Sequence, residues 1–462
     1  MIYFGVLSLK ICYGYYKDKP LYSCKYKENK EYKTILIPYQ QRKRGFEKFN
    51  FDYYVSFTKQ GDYGQIHENF GDVCQEENFF QFQLSMHNLY SVQKHWKNMP
   101  SFSNYQKHEV VQDRFIFTID PMGSEDLDDA FSITRLPKGE YLIRVYISNV
   151  PVFLEKYSLW ERLGSRVSTI YLPHKNIPML HSDIANKFCS LKEKTMRDCV
   201  VASFHIFPFP KEQQTTVSFT TETVRISKNF SYTDKQILQH NDYKILEKYS
   251  GMNDSHKVVE YWMLQFNCKV GEILKKGIVR VTEKLDHPFF EYYGKYTSIE
   301  KEDLSSLYHE GLQQYKYAHA SSPIRRFVDI INLTSLQKQL GLTVFAETTI
   351  NSLTLSQEKV SELNVQMQSI KKVQMRCRWI QLCKEKSPFQ SKGIIMKKER
   401  WKDEVFRYVI FFPEYFLLKI YKTFKDYFIG ESYLFTFHYF PSHASWGDKI
   451  RVEIATFGKK ME

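Results

Sequence analysis

The stretch from Arg114 to Ala130, RFIFTIDPMGSEDLDDA, constrains this chain more than any other. Asp120, Asp126, Asp128 and Asp129 crowd into it with Glu125 beside them, directly after an apolar run (Phe115, Ile116, Phe117, Ile119) that reads as a buried strand. Carboxylates this close repel one another, and gathering them at a sheet edge is costly unless cations neutralise them. Hard oxygen ligands on a tight turn suit Mg²⁺ or Mn²⁺, which keep several waters and take substrate phosphates in the remaining positions. The competing reading is a solvated acidic turn. Context favours the site, because the segment runs on into AFSITRL, a Pro137-Lys138-Gly139 turn and EYLIRVYISNV, two further strand-like runs. The acids are expected at the end of one strand and the start of the next, on a rigid sheet that holds catalytic groups well.

A second polar constellation runs from His309-Glu310-Gly311-Leu312 to Tyr317-Ala318-His319-Ala320-Ser321-Ser322-Pro323-Ile324-Arg325-Arg326-Phe327-Val328-Asp329. Ser322 is a good N-cap and Pro323 a good first helical residue, which predicts Arg325 and Arg326 in the first turn of a helix. Cations there oppose the helix dipole, an arrangement that makes sense if a phosphate sits against them. The alternative is an exposed basic turn or a salt bridge to Asp329.

The chain has 462 residues, enough for three or four domains, and an apolar fraction of 43% that can fill their cores. Lys and Arg outnumber Asp and Glu by 65 to 52, a formal charge of +13. With so many acids in one cluster, the positive excess lies elsewhere, as suits a protein that tracks a phosphate backbone; a compositional bias toward Lys gives the same excess. Cys12, Cys24, Cys74, Cys189, Cys199, Cys268, Cys377 and Cys383 form no C-x-x-C pair and no Cys/His block, so they read as reduced structural thiols rather than a zinc site. No leader follows Met1 and no apolar run could cross a bilayer, which predicts a cytoplasmic protein without a membrane partner.

Residues 1–92 hold short β-type runs (IYFGVLSLKI, KPLYSCKY, KTILIPY, FDYYVSF) between Gly-, Lys- and Asn-rich turns, the pattern of a small barrel. Tyr13, Tyr15, Tyr16, Tyr22 and Tyr26 interleave with Lys25 and Lys27, which suits single-stranded nucleic acid; the same rings could simply fill the barrel. Val92 to Pro100 has helical character. Ser158-Leu159-Trp160-Glu161 is a capping box, predicting a helix with Leu159, Leu163 and Val167 on one face. VVASFHIFPF and TVSFTTETVRI alternate as paired strands, and Lys257 to Lys276 reads as a helix with Val258, Trp262, Phe266 and Ile273 on one stripe, ended by Gly277. The tail begins with a long helix (Val360, Leu363, Met367, Ile370 on one face) and ends in KGIIMKK, FRYVIFF, FLLKIYK, YLFTFHYF and DKIRVEIA, strands that fit an OB barrel.

These motifs resemble, in order, the signature of the ribonuclease II / ribonuclease R (RNB) family of 3′-to-5′ exoribonucleases. Thr118-Ile119-Asp120 with Asp126-Leu127-Asp128-Asp129-Ala130 is similar to the family's T-I-D followed by D-x-D-D-A. Ser168-Thr169-Ile170-Tyr171-Leu172-Pro173, NIPML and FCSLKEKTMR resemble S-x-x-Y-L-P…I-P-M-L…C-S-L…R; Val259, Glu260, Met263 and Asn267 resemble V-E-E-x-M…N; and 309–329 resembles H-x-x-L…Y-T-H-F-T-S-P-I-R-R-Y-x-D. YGQIHENFGD resembles the family's G-x-I…G in a cold-shock-type barrel. The resemblance implies an α+β multidomain protein: a cold-shock-like barrel region over 1–92, an RNB catalytic domain over 93–385 with a mixed sheet, surrounding helices and a C-terminal helix, and an OB-type RNA-binding barrel over 386–462. It also implies a monomeric enzyme that hydrolyses single-stranded RNA to 5′-mononucleotides by a two-metal mechanism. Asp120, Asp126 and Asp129 would hold Mg²⁺, with Mn²⁺ an alternative. Asp128 would help hold a second ion or orient the 3′-terminal nucleotide, Arg325 would neutralise charge on the scissile phosphate, and Tyr171 would pack on the last nucleotide. Arg326, Tyr317 and Ser322 would contact RNA.

Three departures stand against the pattern. The family's I-A-D-V is Ile147-Ser148-Asn149-Val150 here; the His expected after Arg280 is replaced by Val281-Thr282; and the interval from Pro288 to Tyr317 is short. Two rivals follow: an inactive RNA-binding scaffold of the same fold, and a DNA-directed or endonucleolytic enzyme, since discrimination of RNA depends on contacts to the 2′ hydroxyl.

Overall fold

The computed structural model describes residues 1–29, 31–40, 51–89, 114–163, 166–207, 216–282, 294–301, 303–353, 357–402 and 404–454; the helical link expected over Val92–Pro100 and the site of Pro288 lie outside them. The chain folds as two units. One takes in Met1–Ser91, Tyr171–Lys175 and Ser369–Glu462, the other Val92–Ile170 and Asn176–Gln368.

The first unit opens with five strands whose inward positions alternate: β1 (Tyr3–Tyr16), β2 (Lys19–Glu28), β3 (Glu31–Pro38), β4 (Asp52–Gln60) and β5 (Tyr63–Asp72). They close into a barrel in the order β1-β2-β3-β5-β4, with β1 also pairing β4. Leu7, Cys24, Ile37, Val55 and Phe57 fill it. Tyr26 joins that core, whereas Tyr13, Tyr15 and Tyr16 stay exposed. Helix α1 (Glu76–Met86) follows, with Phe82 stacked on Tyr54 at 4.6 Å.

The second unit is built on a six-stranded sheet. Its strands are β6 (Phe117–Asp120), β7 (Asp129–Arg135), β8 (Tyr141–Ser148), β9 (Met196–Ile206), β10 (Thr216–Arg225) and β11 (Lys228–Ser231), in the order β10-β9-β8-β7-β6-β11. All neighbours are antiparallel except β6 and β11. The turn between β7 and β8 is the expected one, with Lys138 and Gly139 at φ 62° and 77°, a conformation glycine adopts without cost. Period-two alternation splits the sheet's side chains: Phe131, Ile143, Val145 and Ile147 point into one core, Ala130, Tyr146 and Val201 into another.

Helix α2 (Val150–Lys156) corrects one expectation. Asn149 is its N-cap, accepting the Val152 amide at 3.4 Å, and Pro151 stands in its first turn. The predicted capping box does not start a helix. Ser158 has φ 50° and its amide donates to the Glu155 carbonyl at 3.1 Å, so it closes α2, and only a 3₁₀ turn (Trp160–Leu163) follows. Leu159, Leu163 and Val167 are buried nonetheless. Helix α3 (Ser255–Ile273) buries Val258, Trp262 and Phe266 as the stripe predicts, but ends before Lys276, with Leu274 already extended.

Helix α4 (Phe327–Gln339) completes that unit's core, and helix α5 (Gln357–Lys386) leads into the tail. There β12 (Phe389–Lys402), β13 (Val405–Phe412), β14 (Leu417–Thr423), β15 (Ser432–Tyr439) and β16 (Ile450–Ile454) form a half-barrel, in the order β14-β13-β12-β15-β16, every pair antiparallel. Among the described residues no helix is long and apolar enough to cross a membrane.

Gly271 marks the tightest approach in the second unit: a Cβ there would lie 1.5 Å from the Lys316 carbonyl oxygen, backbone that cannot step aside cheaply. Gly271→Ala is expected to lower unfolding free energy by about 3 kcal/mol or more. Urea titration checks it against Gly447→Ala, whose added Cβ would meet nothing nearer than Ser445 Oγ at 3.9 Å.

Candidate active site

The acids stand where strand periodicity put them. Asp120 ends β6, Asp129 begins β7, and Asp126 and Asp128 lie on the turn between. That turn is pinned by backbone. The Leu127 amide donates to Ser190 Oγ at 3.1 Å, the Leu191 amide to the Leu127 carbonyl at 3.0 Å, and the Ser148 amide to the Asp128 carbonyl at 2.9 Å. Glu125 accepts from Asn186 Nδ2 at 2.5 Å.

Asp128 is 2% exposed and both its oxygens are engaged. Oδ1 accepts from the Ile324 amide at 2.9 Å and Oδ2 from Arg325 Nε at 3.0 Å. Burial pushes its carboxyl up to about 7, against the opposing pull of Arg325 and the Ile324 amide. These bonds hold Arg325 in place and leave each oxygen a second lone pair.

Asp120 and Asp129 differ. The Oδ2 atom of each is buried without a hydrogen-bond partner. Burial, with Asp126 adding to it, pushes Asp120 up to about 6; burial and the neighbouring Asp120 and Asp128 push Asp129 well above the carboxylate range. Two desolvated carboxylates with bare oxygens fit a divalent cation, which needs only one or two protein carboxylates and completes its shell with water and phosphate. Among the described residues no three His, Cys, Asp or Glu side chains form a ready-made cage, so the fit is that of an open site.

The arginines are held by different means from those expected. Helix α4 starts at Phe327, with Arg326 as an extended N-cap at φ −136° and ψ 125°. The preceding residues are drawn into an antiparallel bridge, with the Thr169 amide donating to the Arg325 carbonyl at 3.0 Å and the Phe327 amide to the Val167 carbonyl at 3.0 Å. Ser322 cannot cap from there. Its amide donates to Asp329 Oδ1 at 2.7 Å and its hydroxyl accepts from Arg325 Nη2 at 3.2 Å. Arg325, 44% exposed, thus lies between Asp128 and Ser322. Arg326 is turned inward onto the buried Asp329 at 2.8 Å, the salt bridge the sequence offered as the alternative. Tyr317 is buried too. It is 5% exposed, its hydroxyl accepts from Asn267 Nδ2 at 3.2 Å, and its ring meets those of His309 and His319 edge to face.

Tyr171 lies in a short hairpin (Ile170–Leu172 paired with Lys175–Ile177), half-buried, its amide donating to Gln374 Oε1 at 3.0 Å. Sequence reasoning missed Tyr232. Its amide donates to the Asp120 carbonyl at 3.0 Å, and burial together with Asp129 and Asp120 raises its phenol. The signal available was its place directly after the strand KNFS, which pairs in parallel with β6.

Residues 109–254 match the family model described as RNB domain, so the chain carries an RNB domain and the resemblance read from its motifs holds. DIS3-like exonuclease 2 of Xenopus tropicalis is 38% identical over 94 residues, 20% of this chain and 11% of that protein. Exoribonuclease 2 of Vibrio cholerae is 34% identical over 90 residues, 19% of this chain and 13% of the relative. The chain thus aligns with only a small part of these curated relatives. Mycoplasma genitalium RNase R, solved with double-stranded RNA, shares the fold at TM-score 0.70 and 15% identity, over 98% of this chain and 95% of that one. Yeast Ssd1, described as a pseudonuclease, shares it at TM-score 0.63 and 12% identity, over 91% and 65%.

The buried carboxyls make stability depend on pH. Each holds its proton more tightly folded than unfolded, so its contribution is full below about pH 4 and is lost as the pH rises through the folded values. In chelator at pH 8, Asp129→Asn is therefore expected to be more stable than wild type by over about 1 kcal/mol. Added Mg²⁺ should raise the melting temperature of wild type at pH 8 and leave the variant unmoved. A wild type that is already the more stable in chelator would contradict the site.

Proposed function

We propose that the protein is a Mg²⁺-dependent 3′-to-5′ exoribonuclease, acting as a cytoplasmic monomer that hydrolyses single-stranded RNA to 5′-mononucleotides. The observation that carries the reading is the pair of bare, buried carboxylate oxygens on Asp120 and Asp129 beside an arginine held by Asp128. A scaffold that only bound RNA would gain nothing from desolvated negative charge there. The 3′-to-5′ polarity rests on the motif resemblance and on relatives described as exoribonucleases.

In this reading Asp120 and Asp129, with Asp126, hold Mg²⁺, and Mn²⁺ can substitute. Two such ions supply Lewis acidity to the attacking water and the departing 3′ oxygen. Asp128 holds the guanidinium of Arg325, which neutralises charge on the scissile phosphate. Ser322 steadies the far end of the same guanidinium. Tyr171 packs on the terminal nucleotide. The exposed Tyr13, Tyr15 and Tyr16, together with Lys25 and Lys27, offer stacking faces and cations to the strand.

A second reading is an inactive RNA-binding scaffold of the same fold, favoured by the description of Ssd1 as a pseudonuclease and by the Asn149 and Thr282 departures. Purified protein with Mg²⁺ and 5′-labelled single-stranded RNA separates the two, run beside Asp128→Asn and an equivalent DNA. The expected result is a ladder shortening from the 3′ end, reduced by a factor of about 10³ or more in the variant. Intact RNA with a retarded band on a native gel would establish the scaffold instead.

A further inference from the structure

The geometry points to Glu77 and Gln374 as positioning residues that set the Tyr171 ring for the terminal nucleotide, an inference that rests on the role proposed for Tyr171. Tyr171 occupies a hairpin of two three-residue strands turning at Pro173-His174. Isolated two-stranded ribbons are marginally stable, so something else must hold the tip. Its residues Tyr171–Lys175 belong with the unit that contains α1 and most of α5, and contacts from those two helices converge on it.

From the first turn of α1, Glu77 divides its carboxylate between two neighbours on the tip: Oε2 pairs with His174 Nε2, and Oε1 with Lys175 Nζ at 2.5 Å. Gln81, one turn on, steadies that carboxylate by donating Nε2 to Oε1 at 3.3 Å. Phe80 lies flat against the His174 ring, centroids 5.1 Å apart and planes 15° from parallel. From α5, Gln374 Oε1 accepts the Tyr171 amide at 3.0 Å. The backbone is therefore fixed at Tyr171 and again three and four residues later, which leaves the phenol ring little more than its own χ rotations. Each ion pair is exposed and weak alone. Sharing one carboxylate and one short hairpin, they act together, and such contacts are not additive.

Nothing in the motifs resembling the RNB pattern singles out Glu77 or Gln374, which lie outside the RNB match over residues 109–254. The inference makes the helix after the first barrel part of substrate placement.

The test uses the full chain in chelator, so that RNA is bound and not turned over, with single-stranded RNA carrying 2-aminopurine as its 3′-terminal base. Stacking on a ring quenches that base. Wild type should quench it, Tyr171→Ala should not, and the Glu77→Ala/Gln374→Ala double variant should lose most of the quench. Its affinity for RNA should fall by no more than about fivefold and its melting temperature should stay near wild type. Should the double variant unfold early, Glu77→Gln and Gln374→Ala separately should each give a partial loss of quench. Full quenching in all of these, with none in Tyr171→Ala, overturns the positioning role and leaves the role of Tyr171 intact. Full quenching in Tyr171→Ala removes both.

Discussion

The second unit is organised by the cost of taking carboxylates out of water. Asp120, Asp128 and Asp129 are all pushed upward by burial, and Asp120 and Asp128 push Asp129 further. One of them is offset from within the protein, because Arg325 Nε and the Ile324 amide supply Asp128 with charge and hydrogen bonds. The other two keep oxygens that nothing in the described residues satisfies. The division follows from position. Asp128 faces the segment that enters α4, whereas Asp120 and Asp129 sit on adjoining strand ends, where flanking backbone amides are taken up by the sheet ladder. Strain of this kind is tolerated where a ligand relieves it, and the surrounding bonds at Ser148, Ser190 and Leu191 keep the loop from relaxing outward.

How much of this was legible followed the range of the interactions. Strands β6 to β8, their turn and the placing of the acids depend on alternation and turn chemistry within a few residues, and they were readable. The helix of residues 255–273 was readable for the same reason. The partner of Asp128 was not: it lies 197 residues away, and no local period points to it. Nor could composition tell that Arg326 and Tyr317 would turn inward. A polar motif looks exposed until Asp329 and Asn267, buried at the same level, supply it with partners. The predicted N-cap at Ser322 failed because a tertiary contact outbid a local one: the bridge between Ser168 and Arg326 holds the chain extended there, and the helix starts only at Phe327.

The half-barrel shows the same rule in another form. Its edge strands, β14 and β16, have no ladder between them, yet Lys419 of β14 is buried and donates to the Ile450 carbonyl of β16 at 3.2 Å, with its ammonium 4.3 Å from the Trp446 ring centre. A side chain spans the seam that backbone leaves open. Burial lowers that lysine to about 8, and Lys449, buried on the carbonyls of Val73 and Pro441, is lowered likewise. Lysines at inward positions of FLLKIYK and DKIRVEIA read as solvent-facing by pattern, which is why the closure went unseen.

The departure at Asn149 takes on a different meaning once its partner is known. A carboxylate expected behind the site is replaced by an amide, and Gln337 of α4 meets it with a reciprocal pair of hydrogen bonds, Asn149 Nδ2 to Gln337 Oε1 at 2.9 Å and Gln337 Nε2 to Asn149 Oδ1 at 3.1 Å. Thr343 Oγ1 adds a third bond at 2.9 Å. Both amides are buried, and a carboxylate in place of Asn149 would turn its oxygen toward Gln337 Oε1 with no proton between them. The neutral pair instead joins α2 to α4 and adds no charge next to Ser148, whose amide holds the Asp128 carbonyl. In a site already carrying three desolvated acids, losing a fourth lowers the electrostatic cost of folding while keeping the contact that aligns the helix bearing Asp329. The substitution therefore alters how the acid loop is supported and leaves its own carboxylates and Arg325 in place.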